Sequence, residues 1–133
     1  MRWIALRRIK PIVSNMDPTP ATRFAVLWHH QIAEPHFDLL VETRPGSDLA
    51  TWRSPVWPIT ERASLSRLKD HRRIYLQYDG ELTEGLGRVD RIGDGTCRVE
   101  IGSDGVWIIR FIELPGTLRL EPVEDERWEA SQI

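Results

Sequence analysis

Short runs of apolar and β-branched residues, separated by glycine, proline and aspartate, recur along the chain at about ten-residue intervals. Within several runs apolar and polar residues alternate, as they do in a strand with one buried face. Turn signals such as Asp79-Gly80 and Ser103-Asp104-Gly105 lie between the runs. The predicted strands are residues 23–30, 36–43, 49–53, 73–78, 87–92, 96–101, 106–112 and 117–121.

Helical patterns are short by comparison. Residues 60–69, with Thr60 as an N-cap, predict one or two turns, and residues 124–130 predict another short helix. The pattern therefore predicts an all-β, mainly antiparallel fold. We expect a small closed or partly open β-barrel of about eight strands with one or two short helices. The 133 residues fit a single domain, 1–133, and residues 17–20 predict a stiff approach to the first strand.

Charge and cysteine content narrow the function classes. The 18 basic and 20 acidic residues leave a net charge of -2, which excludes a protein that coats nucleic acid but permits a local basic patch. The single Cys97 excludes an intramolecular disulfide and a cysteine-rich zinc site. No apolar run reaches the roughly 20 residues of a membrane span, and residues 1–8 lack the apolar core of a signal peptide. We expect a soluble, cytoplasmic monomer with no membrane partner.

Three of the four histidines lie between residues 29 and 38. Because side chains two apart share a face of a strand, His36, Asp38 and Glu42 lie opposite an apolar core face. If strands 23–30 and 36–43 form a hairpin, either His29 or His30 comes close to His36 and Asp38. Two imidazoles and a carboxylate on one face predict a site for Mn, Zn, Fe or Co with open positions for water or phosphate.

A second polar cluster surrounds the fourth histidine. His71, Arg73 and Tyr75 share a face if their strand begins early, and such a face can bind phosphate or simply be an exposed edge. Glu42 and Asp70 are candidate acceptors for imidazole N–H groups.

The order of these motifs resembles the 3′-phosphoesterase domain of bacterial DNA ligase D. Residues 23–29, RFAVLWH, and 36–42, HFDLLVE, are similar to its signature R-F-V-V-Q-x-H followed by H-Y-D-x-R-x-E. Residues 49–55, LATWRSP, look like L-x-S-W-x-x-P, and Asp70-His71 with Tyr75 and Gly80 looks like D-H-P-x-x-Y followed by F-x-G. A glycine-rich stretch and D-x-G-T complete a match that runs from residue 23 to residue 96.

The resemblance implies a metal-dependent hydrolase, best with Mn and with Zn or Co as alternatives, that removes a 3′-phosphate or terminal ribonucleotide from DNA or RNA ends in DNA repair. His36 and Asp38 match two metal ligands. The spacing of the family signature from its phenylalanine, here Phe24, makes His29 the first ligand. The commoner family spacing between the two histidines, six residues back from His36, makes it His30. The resemblance makes His71 a phosphate contact or general acid beside Tyr75. We group Glu42 with these catalytic candidates, and Arg73 and Arg53 with His71 as phosphate-binding candidates.

Three departures qualify the resemblance. Leu40 stands at the family's active-site arginine, Val56 at a lysine, and Lys69 at an acidic residue. Either arginines such as Arg53, Arg67 or Arg73 compensate, or activity is reduced. One alternative is therefore a relative that binds metal or nucleic-acid ends without turnover. Another is a cupin-like iron oxygenase that uses His36, Asp38 and His71. We expect a free-standing relative whose ligase and polymerase partners are separate proteins.

Overall fold

The computed structural model describes residues 19–133, which form nine β-strands and one short 3-10 helix. Residues 1–8, where we expect no signal peptide, lie outside this range. So do residues 17 and 18, the first two of the predicted stiff approach. The helix, Arg73–Leu76, follows the fourth strand. The strands are β1 (Thr22–His30), β2 (His36–Glu42), β3 (Leu49–Ser54), β4 (Arg62–His71), β5 (Gly80–Glu81), β6 (Arg88–Ile101), β7 (Trp107–Phe111), β8 (Thr117–Glu124) and β9 (Arg127–Gln132).

Eight strands close into an antiparallel barrel. Their order is β1-β2-β3-β4-β9-β8-β7-β6, and β6 returns to pair with β1. The two-residue strand β5 pairs with the start of β6 as a ninth, extra strand. Closure satisfies the backbone hydrogen bonds that an open sheet would leave exposed at its edges. The predicted all-β barrel is confirmed, in its closed form.

The barrel interior is filled by apolar side chains from all eight strands. Trp52 lies at its centre, with its ring centroid 4.9 Å from that of Trp107 and 5.5 Å from that of Trp128. The guanidinium carbon of Arg67 lies 4.6 Å from the Trp52 ring centroid, so it covers these rings. The interior residues are Phe24, Val26, Leu39, Val41, Ala50, Trp52, Ile59, Leu65, Cys97, Trp107, Ile109, Leu118, Leu120, Trp128 and Ala130.

Cys97 is a packed core residue. Its side chain is fully buried, and this burial raises the pKa of the thiol to about 11. A thiol with such a pKa stays protonated near neutral pH and is a poor nucleophile or metal ligand.

A second apolar cluster lies outside the barrel, between strands β1, β2, β3 and β6 and the 3-10 helix. Leu76 of the helix is buried there, and Tyr75 packs against the cluster. Strands β1 and β2 are therefore buried on both faces near their centres, which explains why residues 24–27 and 39–42 are continuously buried instead of alternating. The outer cluster comprises Ala25, Leu27, Leu40, Leu49, Leu76 and Val89.

Several predicted elements differ from the structure. The predicted helix 60–69 is wrong: this segment is mostly strand β4, where Leu65 is buried between exposed Ser64 and Ser66. The predicted helix 124–130 is also wrong, because the β8–β9 hairpin occupies those residues. In both places pairing with neighbouring strands overrides local helix propensity.

Two predicted strand assignments also change. Residues 73–78, predicted as a strand, form the 3-10 helix and the turn after it, and none of them belongs to a strand. The predicted strands 87–92 and 96–101 are one strand, β6, and the expected turn 93–95 lies within it. A register shift against β1 between Val26 and Leu27 skips Ile92, while Gly93 and Gly95 remain paired with β1, and Gly95 has a φ of +152°. No helix among residues 19–133 is long and apolar enough to cross a membrane.

The period-two alternation of β8 can be tested with neighbouring substitutions. Leu120 is fully buried in the interior, whereas Arg119 next to it points outward and pairs with Glu121. We expect Leu120→Ala to lower the free energy of unfolding by about 2–5 kcal/mol through cavity formation, and Arg119→Ala to lower it by less than about 1 kcal/mol. Urea denaturation measures both, and equal losses would contradict this register.

Candidate metal centre

The pairing of β1 with β2 brings two histidines together on the outer surface of the barrel. In the antiparallel register His29 lies opposite His36, and Leu27 lies opposite Asp38. Strand β3 then places Arg53 opposite Asp38. These side chains share the outer face because the interior face of the same strands carries Phe37 and Leu39.

His29, His36 and Asp38 form a compact group. Each offers one ligand atom, and these atoms all lie within 4.8 Å of one another. The two imidazole rings meet edge to face with centroids 4.9 Å apart, and His36 Nε2 lies 3.6 Å from Asp38 Oδ1. Residue counting left His29 and His30 as alternatives, and the structure brings His29 to the group.

His30 lies on the opposite side of β1 because adjacent residues of a strand face opposite ways. Its Nε2 is 2.6 Å from Asp90 Oδ2 on β6, and its ring stacks near that of Trp28. His29 and His36 are seven residues apart, one more than the commoner family spacing, and the additional residue lies in the link formed by residues 31–35.

Two backbone carbonyls orient the imidazoles. His36 Nδ1 lies 2.8 Å from the Glu34 carbonyl, and His29 Nε2 lies 2.7 Å from the Leu86 carbonyl. A carbonyl can only accept a hydrogen bond, so each of these nitrogens carries the proton and donates it. The other nitrogen, Nε2 of His36 and Nδ1 of His29, keeps its lone pair for a ligand.

Two atoms of this group are buried without a hydrogen-bond partner. His36 and Asp38 are each 6% exposed, and neither His36 Nε2 nor Asp38 Oδ1 has a partner. Arg53 Nε is 4.0 Å from Asp38 Oδ1, too far for a hydrogen bond. Leaving two buried acceptors face to face is costly, and a cation between them removes that cost. Two imidazole nitrogens and one carboxylate oxygen fit a divalent transition metal.

A cavity of about 230 Å³, lined by both polar and apolar surface, adjoins His36 on the outer face. The half-exposed Arg53 lines it, together with Ser64 and Ser66 of the neighbouring strand β4, where Ser66 is paired with Arg53. The remaining lining residues are Glu34, Pro35 and Pro55. The cavity can therefore hold a group larger than a water molecule beside the candidate metal ligands.

Glu42 lies on the same face of β2 as Asp38, but about 13 Å further along the strand. Its Oε1 accepts a hydrogen bond of 2.7 Å from the Arg23 N–H, and its Oε2 accepts one from the Gly46 N–H and pairs with Arg73. Arg73 also donates to the Ser47 carbonyl at 3.0 Å. Glu42 and Arg73, predicted as catalytic and phosphate-binding, are thus engaged in a clamp that joins β1, the β2–β3 turn and the 3-10 helix.

His71 is also separate from the candidate metal ligands. It ends β4 opposite Leu49, whose other neighbour is Glu42, so it lies towards the Glu42 end of the sheet. Its Nδ1 donates to the Lys69 carbonyl at 3.1 Å, and its ring meets that of Tyr75 edge to face at 5.6 Å. His71 and Tyr75 are neighbours as predicted, but the structure does not place them in the group of converging ligand atoms.

The remaining predicted residues have structural contacts. Asp70, a predicted acceptor for an imidazole, lies 3.4 Å from an Arg67 nitrogen. Arg67 itself covers the interior tryptophans. Among the three arginines considered as compensating groups, Arg53 is the one beside the histidine–aspartate group.

Sequence reasoning did not identify several contributors to the site. The carbonyls of Glu34 and Leu86 carry no side-chain signature. Ser64 and Ser66 would have been found if residues 60–69 had been interpreted as a strand with alternating exposure. No protein-family model matches the chain, and no curated protein matches it. Function must therefore be inferred from this site and from the motif resemblance.

The Glu42 clamp predicts a pH dependence of stability. Burial alone raises the pKa of Glu42, but the hydrogen bond from Arg73, the N–H groups of Arg23 and Gly46 and the charge of Arg73 outweigh it and hold the pKa below its ordinary value of 4.5. A lowered pKa stabilises the folded state above the unfolded-state pKa, and this stabilisation is lost as the pH falls through the folded-state pKa.

We expect Glu42→Gln to lower the free energy of unfolding at pH 7, with the difference from the wild type narrowing below about pH 4.5 as Glu42 is protonated. Denaturation curves between pH 7 and pH 3 measure the difference. The exposed Glu124→Gln variant is the control and changes stability little. If the free energies of unfolding of the wild type and Glu42→Gln differed by the same amount at every pH in this range, the role of Glu42 in the clamp would be contradicted.

Proposed function

We propose that this protein is a divalent-metal-dependent phosphoesterase that trims 3′ ends of DNA or RNA in end repair. The observation that carries the proposal is the meeting of His29, His36 and Asp38, with two buried acceptor atoms that lack partners. The motif resemblance to the 3′-phosphoesterase domain supplies the substrate class. Separate ligase and polymerase proteins as partners, and a reducing cytoplasmic location, belong to the same proposal.

The donor set supports Mn as the ion, with Zn or Co as alternatives. Imidazole and carboxylate ligands suit these metals better than Mg or Ca, which prefer oxygen ligands. Three protein ligands on one side leave further positions open. When bound, such an ion supplies Lewis-acid stabilisation of phosphoryl oxygens and lowers the pKa of water.

Arg53 is the residue that we propose binds the substrate phosphate. Its side chain is half exposed, lies beside Asp38 and lines the cavity next to His36 together with Ser64 and Ser66. A guanidinium can donate two parallel hydrogen bonds to phosphate oxygens, and serine hydroxyls can donate further ones. A positive group on β3 would then replace the arginine that the family signature has at position 40 of β2.

A specific observation also favours the second candidate, a relative that binds metal or 3′ ends without turnover. Leu40 is fully buried in the outer apolar cluster beside Leu27, another position where the family signature has a polar residue. These leucines remove hydrogen-bond donors from the face of β1 and β2 next to Asp38. Losing one charge-stabilising donor typically lowers a rate by about 10²–10³.

The ligand set of the iron-oxygenase alternative differs from the group that converges in the structure. It requires His71 as the third ligand, whereas the third converging residue is His29.

Metal binding can be tested without an activity assay. We expect the wild-type protein to bind Mn²⁺, and His36→Ala to bind it at least about 100-fold more weakly because one ligand is lost. His71→Ala is the matched control and should retain wild-type Mn²⁺ affinity. Titration calorimetry, with electron paramagnetic resonance to count free Mn²⁺, measures both. Unchanged affinity in His36→Ala would reject the site, and loss in His71→Ala would restore the oxygenase ligand set.

Activity is tested on a primer-template that carries a 3′-phosphate or a single 3′-terminal ribonucleotide, with Mn²⁺ present. We expect end removal by the wild-type protein and a fall in kcat/KM of about 10²–10³ in Arg53→Ala, because a phosphate-binding group is lost. Arg44→Ala, which removes an exposed arginine from the β2–β3 turn, should leave the rate unchanged. Tight binding of the 3′ end without turnover would select the second candidate and reject the enzyme.

A further inference from the structure

We propose that Gly87 is a positioning residue of the metal centre: it allows the Leu86 carbonyl to reach His29 and so selects the imidazole tautomer that presents Nδ1 as a ligand. This inference rests on the proposed metal site, but it concerns a glycine-containing turn that lies 57 residues from His29 in the sequence. The turn contributes no side chain to the group of ligands.

The turn has a defined shape of its own. It connects β5 to β6, and its ends are joined by a 2.8 Å hydrogen bond from the Leu82 N–H to the Gly87 carbonyl. Within it the Leu86 N–H donates to the Thr83 carbonyl at 3.2 Å. The Leu86 carbonyl accepts the 2.7 Å hydrogen bond from His29 Nε2, which lies outside the turn.

Gly87 lies where this turn touches the chain that carries the metal ligands. A Cβ atom built on Gly87 would lie 2.5 Å from the His30 carbonyl oxygen and 2.6 Å from Cγ2 of Ile32. His30 directly follows His29 at the end of β1, and Ile32 lies two residues further on, in the link to β2. Gly87 also has a φ of +86°, which favours glycine. The missing side chain thus permits a close approach between two segments.

This approach determines the state of His29. With its Nε2 proton donated to a carbonyl, a neutral His29 must hold its lone pair on Nδ1. Any residue larger than glycine at position 87 must move the turn away from β1, and the Leu86 carbonyl moves with it. His29 then loses its acceptor, and its ring is free to rotate or to exchange tautomers. Losing a hydrogen-bond partner of a metal-binding histidine typically costs about 10–100-fold in metal affinity.

Neighbouring Gly85 provides a matched control. It also has a positive φ, +74°, but a Cβ atom there would meet no atom within 4 Å. Gly85→Ala therefore imposes a similar backbone cost in the same turn without separating the turn from β1. A difference between Gly85→Ala and Gly87→Ala isolates the close contact from general strain of the turn.

The first measurement is Mn²⁺ affinity by titration calorimetry on the full chain. We expect Gly87→Ala to bind Mn²⁺ about 10–100-fold more weakly than the wild type, and Gly85→Ala to bind it within about threefold of the wild type, since it keeps the His29 contact. Circular dichroism and urea denaturation establish that both variants fold. Equal affinity of Gly87→Ala and the wild type, or equal losses in the two variants, would overturn the inference.

The second measurement reads the tautomer directly. Long-range ¹H–¹⁵N nuclear magnetic resonance of metal-free protein should show His29 protonated at Nε2 in the wild type and Gly85→Ala, and a mixture of tautomers in Gly87→Ala. A wild-type His29 protonated at Nδ1 would overturn the inference even if Gly87→Ala does not fold. If the wild type binds no Mn²⁺, the proposed function is rejected, but this spectrum still tests the contact between Leu86 and His29. If the wild type binds Mn²⁺ and Gly87→Ala binds it equally well, only the inference about Gly87 is rejected.

Discussion

The antiparallel pairing of β1 with β2 is the constraint on which the rest of the site depends. Because side chains alternate with a period of two, the register that places Phe24 and Val41 inside the barrel also places His29 beside His36 and Asp38 outside it. A slip by one residue would bury the polar atoms in the core and expose the apolar ones. The packing of the core therefore determines the geometry of the candidate metal ligands.

The same two strands carry a second apolar layer, and it divides the outer face into two regions. On one side lie the candidate ligands and Arg53; on the other lie His71 and the clamp between Glu42 and Arg73. Leu40 lies between them in the outer cluster. His71 and Glu42, which the sequence motifs group with the histidine–aspartate group, are thus separated from it on the surface.

Much of the fold could be predicted because its signals are local. The alternation around Leu39 and the turn residues between runs were enough to predict an antiparallel barrel. The errors occur where a local signal conflicts with strand pairing: Leu65 between two serines belongs to β4, although residues 60–69 were predicted as helical, and the glycines at 93 and 95 lie in a bulged strand. At these positions neighbouring strands supply the backbone hydrogen bonds. Local propensity depends only on nearby residues of the sequence, so it does not include these partners.

The sequence by itself determined the barrel class and the face shared by His36 and Asp38, and it narrowed the third member of their group to His29 or His30, because these follow from residue type and the period of a strand. Only the tertiary structure decided that His29 completes the group, that Glu42 belongs to a clamp, and that a carbonyl from residue 86 contacts the site. These decisions depend on contacts between segments far apart in the chain, which register and barrel closure create and spacing along one strand does not encode.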